Sequence, residues 1–212
     1  MHPTYQIGNE LAIALQDISQ GWLMYEKGNF EEALAFFTPI KEHPISKYFI
    51  GEIFRNDPNH VLNREEGLYL IVQSANEGFY FAWLALGNFY ANGIEFEQDL
   101  EIAIHWYTKG AEYGCSRCQY NLGLLYSRKP IYNFELAYKW LLILCLTEHP
   151  EAQRICDLMA TVCPEPNRAK GMELADQWIQ ETIKRFQKEP NSICTDAQNL
   201  LIKYYPKIKG LD

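Results

Sequence analysis

The sequence predicts an all-α protein: an α-solenoid of antiparallel helix pairs, closed by a C-terminal capping helix. Three observations carry this prediction. An internal repeat recurs every 36 residues, apolar residues return at spacings of three and four within each repeat, and Gly or Pro turns separate the periodic stretches. The chain has 212 residues, 48% hydrophobic and 22% charged, enough to bury a sizeable core as one continuous domain.

An offset of 36 aligns Ala75 with Ala111, Gly78 with Gly114, Leu86-Gly87 with Leu122-Gly123, and Tyr90 with Tyr126. One copy upstream, Ile50-Gly51 and Phe54 hold the same register, and Gly67 stands opposite Ala103. Asp57-Pro58-Asn59 reads as a turn before a helix that starts near Arg64. The next pair is predicted over Phe81–Tyr90 and Leu100–Glu112, parted by Asn92-Gly93, with Asp99 placed to cap the second helix. Lys129-Pro130 stops the following helix before another begins near Asn133. Pro164-x-Pro166 then breaks the chain ahead of an amphipathic helix, Ala169–Phe186. Its Met172, Ala175, Trp178, Ile179 and Ile183 are expected to cover the last repeat. A short final helix is expected near Thr195–Tyr205.

Glycine inside a helix costs about 1 kcal/mol relative to alanine. Gly51, Gly87 and Gly123 therefore imply close approach of a partner helix, with Phe54, Tyr90 and Tyr126 filling space one turn later.

The run Ala82-x-x-x-Leu86-Gly87-x-x-Tyr90-x-x-Gly93, then Asp99-x-x-x-Ala103-x-x-Trp106-Tyr107-x-x-Gly110-Ala111-x-x-Gly114, resembles a Sel-one-like repeat, a subclass of the tetratricopeptide-like helical repeats. Ala137-x-x-Trp140 continues it with two residues deleted from the connecting loop. Upstream, Gly21-x-x-x-Tyr25-x-x-Gly28-Asn29-Phe30-x-x-Ala33-x-x-x-Phe37 is similar to an ordinary tetratricopeptide repeat. The resulting division is a degenerate opening repeat over 1–45, Sel-one-like repeats over 46–160, and capping helices over 161–212.

Catalytic chemistry is weakly signalled. Cys115-Ser116-Arg117-Cys118 could place a thiolate at a helix N-terminus, but no strand–helix unit precedes it and no second pair completes a zinc site. Cys118 holds the small apolar position of Ala82 and Ala152, Cys145 that of Ala75 and Ala111, and Cys156 that of Leu86 and Leu122. All are expected as buried thiols, with no disulfide required. His2, His43, His60, His105 and His149 lack metal-ligand spacing, so no metal or cofactor is expected. Glu31-Glu32, Glu65-Glu66 and Glu95/Glu97 fall at helix starts or linkers, where carboxylates favour the positive end of the dipole.

Nineteen basic against twenty-seven acidic residues give a net charge of −8, which argues against nucleic acid or anionic lipid as partner. The longest apolar stretch, Trp140–Leu146, is too short to span a bilayer, and Met1-His2-Pro3-Thr4-Tyr5 lacks the features of a signal peptide. A cytoplasmic location is the expectation.

The resemblance implies that the first helix of each pair lines a concave groove. Two columns then face a ligand: Tyr48, Leu84 and Tyr120 three residues before the glycine, and Glu52, Asn88 and Leu124 one after, edged by Arg55, Asn92, Arg117 and Arg128. It implies a non-enzymatic protein–protein interaction module, an adaptor or regulator that binds a partner protein or peptide in this groove. One alternative is a bacterial immunity protein that neutralises a toxin or secreted effector. Another is an enzyme: a hydrolase by analogy with cysteine-rich secreted relatives, or a thiol oxidoreductase using Cys115 and Cys118. The relatives clip each repeat junction with a disulfide, whereas the pairs Ala75/Ala82, Ala111/Cys118 and Cys145/Ala152 hold at most one Cys each.

Overall fold

The computed structural model describes residues 16–56, 63–146 and 152–189. Helix α1 covers 16–26 and is followed by α2 (Phe30–Phe37), a 3-10 turn (Thr38–Ile40), α3 (Pro44–Asn56) and α4 (Arg64–Asn76). Then come α5 (Tyr80–Asn92), α6 (Leu100–Tyr113), α7 (Ser116–Tyr126), α8 (Phe134–Cys145), α9 (Ala152–Val162) and α10 (Glu165–Lys188). No strand occurs among the described residues, and the fold is the predicted α-solenoid class. The expected turn at Asp57-Pro58-Asn59 and the expected helix near Thr195–Tyr205 lie outside the described residues.

The chain groups into two compact units that divide within α5, Met1–Leu86 and Gly87–Asp212. In the first, Phe37 of α2 stacks on Phe49 of α3 at 5.0 Å, and Ala33, Ile50 and Ile53 complete a buried cluster. Gly21 leaves room for the Phe37 ring, because a Cβ there would sit 2.7 Å from it. In the second unit, α8 packs against α7, α9 and α10, and its Leu141 and Leu144 join Ile155 and Met159 in a continuous core.

The recurrent glycines have a more specific cause than the close helix approach expected from sequence. Gly51 does meet backbone, since a Cβ there would lie 2.6 Å from the Gly67 carbonyl oxygen. At Gly87 the obstacle is instead the ring of Tyr107, and at Gly123 it is Leu141, 2.5 Å from the added atom. Ile71, which also faces Gly51, Tyr107 and Leu141 are equivalent once the two-residue deletion is counted, and all three are buried. Each second helix thus seats one knob in a hole that glycine leaves in the first.

Helix ends repeat as faithfully. Asp99 accepts from the amides of Glu101 and Ile102 at 2.9 Å each, as its position predicts. Asn133 caps α8 through the Leu136 amide at 3.0 Å. Gly114 ends α6 in the left-handed region with φ +99°, where the Cys115 amide reaches back to the Gly110 carbonyl. Two carbonyls at equivalent positions, which already accept the Gly78 and Gly114 amides, gain side-chain donors as well: Trp83 Nε1 donates to the Ala75 oxygen at 2.7 Å, and Gln119 Nε2 to the Ala111 oxygen at 3.2 Å.

Helix α10 covers α8 through Gly171, Ala175, Trp178, Ile179, Thr182 and Ile183. Met172, expected on this seam, is 53% exposed. Gly171 takes the seam instead because any Cβ there would press on Tyr138 and the Glu135 carbonyl. The cysteines also depart in part from expectation. Cys115, Cys118 and Cys163 are buried thiols, but Cys145 is disulfide-bonded, with its partner outside the described side chains.

Candidate functional site

The ten residues expected to line or edge a groove separate into distinct environments. In the first unit, Tyr48 is half-buried in an aromatic cluster, 5.2 Å from Phe49, 5.3 Å from Phe79 and 6.1 Å from Phe81. Glu52 is buried and accepts from Arg55 Nε at 3.2 Å, Arg55 Nη2 at 3.1 Å and Asn56 Nδ2 at 3.2 Å. Burial, then the Glu52 charge, pushes the neighbouring Tyr25 phenol up to about 12, with Arg55 opposing. Glu52 and Arg55 are therefore committed to each other. Leu84 is buried and presents little surface.

The second unit brings Asn88, Asn92, Leu124 and Arg128 to one cavity of about 420 Å³ among α5, α6, α7 and the segments that follow α5 and α7. Tyr120 lies apart, half-buried against the α8–α9 core, and Arg117 is exposed outside the cavity lining. Tyr107, Asn121, Gln98 and Lys129 also line the cavity, and sequence reading missed all four. Tyr107 was visible only as a repeat-motif aromatic. Asn121 stands 33 residues from Asn88, outside the 36-residue columns.

A hydrogen-bonded cluster forms one wall. Asn88 Oδ1 accepts from the Tyr107 hydroxyl at 2.7 Å and from Asn121 Nδ2 at 3.2 Å. Burial holds the Tyr107 phenol well above its ordinary range; the Cys118 charge adds to this and the Asn121 hydrogen bond opposes it. Tyr107 is consequently a protonated donor at any ordinary pH. Leu100, Leu124, Leu125 and Ile131 supply the apolar lining, and Arg128 and Lys129 stand exposed at the rim.

Among the described residues, no group of three or more His, Cys, Asp or Glu side chains could hold a metal ion. Cys115 and Cys118 are 3% and 0% exposed, and Cys118 packs directly on Gly110, so neither sulfur is open to a substrate. No described helix is long and apolar enough to cross a membrane. The cavity, with amides, aliphatic groups and two cations, suits reversible binding of a polar segment.

Comparison with solved structures places this arrangement in a known fold. A Sel1 repeat protein from Oxalobacter formigenes superposes with a TM-score of 0.59 at 16% identity, covering 94% of this chain and 88% of that one. A protective antigen present in uropathogenic Escherichia coli strains, displaying an SLR fold, superposes with a TM-score of 0.60 at 19% identity. That match covers 93% of this chain and 46% of the antigen, so the chain spans about half the antigen's length. No family model matches the sequence, and no curated protein does. The chain has the Sel1-like repeat fold.

Proposed function

We propose that this helical-repeat chain is a non-enzymatic protein-interaction module, and that it holds a segment of a partner protein against the first-helix side chains of its repeats. The cavity on α5, α6 and α7 is the principal contact. One observation carries the reading: side chains from successive first helices, Asn88 and Asn92 on α5 with Asn121 and Leu124 on α7, converge on an open cavity of about 420 Å³. The Sel1-like fold supports the same reading, because it sets equivalent helices side by side.

Site-specific photo-crosslinking tests it. A benzoylphenylalanine is introduced at Asn92, exposed at the cavity, or at His105, exposed on α6 away from it. In lysate of the native host, Asn92 is expected to yield one discrete heavier adduct and His105 none. Adducts from His105 alone, or none from either position, would overturn the assignment.

A further inference from the structure

The side-chain amides of the cavity are oriented by bonds they already make. Asn88 Oδ1 receives two donors, Tyr107 and Asn121, which fills its acceptor capacity and leaves Asn88 Nδ2 as a donor with no partner among the described residues. One hydrogen of Asn92 Nδ2 goes to the Asn88 carbonyl at 2.9 Å, and one of Gln98 Nε2 to the Ala91 carbonyl at 2.8 Å. Their own carbonyl oxygens are left as acceptors. The cavity thus offers amide N–H donors beside the Asn92 and Gln98 carbonyl acceptors, the complement of an extended main chain with its C=O and N–H groups.

Charge narrows the ligand further. Arg128 and Lys129 line the cavity, both are exposed, and neither makes an ion pair among the described residues. No lining residue is acidic. Glu97 and Asp99 flank Gln98 in sequence, but neither lines the cavity, and Asp99 is engaged with the α6 amides. A local cationic rim on a chain of net charge −8 is a specific attraction for a carboxylate. The aliphatic lining offers no exposed ring on which a nucleobase could stack.

Resting on the interaction-module reading above, we infer that this cavity is a subsite for an extended polypeptide segment bearing an acidic side chain. The Asn88, Asn92 and Gln98 amides read its main chain, and Arg128 with Lys129 hold its carboxylate.

The test is selection of a randomised nonapeptide display library on immobilised full-length protein and on the R128Q/K129Q variant. Both changes fall on exposed side chains, so the variant should fold as the wild type does, with a coincident thermal transition as the check. The readout is the ratio of Asp plus Glu to Asn plus Gln in the selected peptides, relative to the input. Wild type should raise that ratio by about tenfold, the effect of one charge-assisted hydrogen bond. The variant should select peptides with no acidic preference, and 0.5 M salt should weaken the wild-type preference. Peptides selected by the wild type without acidic preference, or a preference that survives in R128Q/K129Q, overturn this inference and leave the interaction-module reading standing. Failure to select any peptide overturns both. A random single-stranded oligonucleotide held by wild type and lost in the variant, with no acidic preference among peptides, overturns the inference in favour of a phosphate ligand.

Discussion

Replacing Gly51 by alanine pits helix propensity against packing. On an isolated helix the change would stabilise by about 1 kcal/mol. In α3 the new Cβ would stand 2.6 Å from the Gly67 carbonyl oxygen and 2.8 Å from Ile71 Cγ1. Ordinary contact begins at 3.4 Å, so the first approach is short by about 0.8 Å. The obstacle is backbone on one side and a fully buried side chain on the other, so α3 and α4 must part. A gap of roughly 0.5–1 Å forfeits a quarter to a half of the dispersion well of each contact it opens. Overpacking of this kind costs about 1–3 kcal/mol, and an immovable carbonyl places Gly51 near the upper end. After the propensity gain, the net loss should be about 1–2 kcal/mol, or about 2–8 °C in Tm for a chain of this size. Gly123→Ala is the comparison: its Cβ would meet Leu141 Cγ and Cδ2 at 2.5 Å, a side chain as buried as Ile71 but with no backbone atom among the nearest contacts. Its net loss should be smaller than that of Gly51→Ala. Urea unfolding followed by circular dichroism gives the stabilities, and hydrogen exchange in α3 and α4 locates the loss, since repeat units can open separately. A Gly51→Ala protein as stable as wild type, or a Gly123→Ala protein that loses more, would refute the packing argument.

Two further outcomes follow from the helix ends. Asp99→Ala should cost about 1 kcal/mol and speed amide exchange in the first turn of α6, while Asp99→Asn should keep most of the cap; equal losses in both would contradict the capping role. At the start of α3, His43 Nδ1 accepts from the Ile45 amide at 3.3 Å, and burial lowers its pKa from 6.5 against the opposing charge of Glu77. The unfolded chain takes up that proton first, so the contribution of His43 is complete above pH 6.5 and is lost as pH falls from 6.5 through the lower folded value. The loss should be small, because the residue is largely exposed, and His43→Asn, which keeps an acceptor, should flatten the stability profile between pH 7 and 5. An NMR titration midpoint for His43 at or above 6.5 would contradict it.

Helix positions and caps were legible because they depend on local chemistry. Arg64 and Leu100 start helices where the turn signals place them, and Asp99 caps as its spacing requires. What remained hidden depends on unlike residues doing one job. Trp83 and Gln119 occupy equivalent positions and satisfy equivalent carbonyls, yet an identity search sees only a mismatch. The error at α10 has the opposite cause. Hydrophobicity marks Met172 as a packing residue, but the distance between α10 and α8 is set where a side chain must be missing, at Gly171. The disulfide at Cys145 was likewise illegible, because spacing shows which cysteines are equivalent to small residues and not which sulfurs meet.

For the candidate site, the 36-residue register picks out Asn88 and Leu124, which line one cavity, but not the hydrogen bonds around them. Glu52, Asn88 and Leu124 are one column, and the three behave differently for reasons that lie outside it. Glu52 has an arginine three residues on, a spacing that lets neighbours on one helix pair, and its charge is consumed internally. Asn88 has no such neighbour. Its partners are a tyrosine on α6 and an asparagine on α7 displaced by one turn from the column, and both bond its amide oxygen, leaving the amide nitrogen without a partner among the described residues. Leu124, the third member, contributes only apolar surface. Strict repetition would have placed the same group in every repeat and the same internal partner beside it, leaving nothing unspent for a ligand. The proposed binding chemistry therefore sits where the repeat is broken, and removing Asn121, off register by three residues, should take away one of the two donors to Asn88 Oδ1 while leaving the glycine-and-knob packing intact.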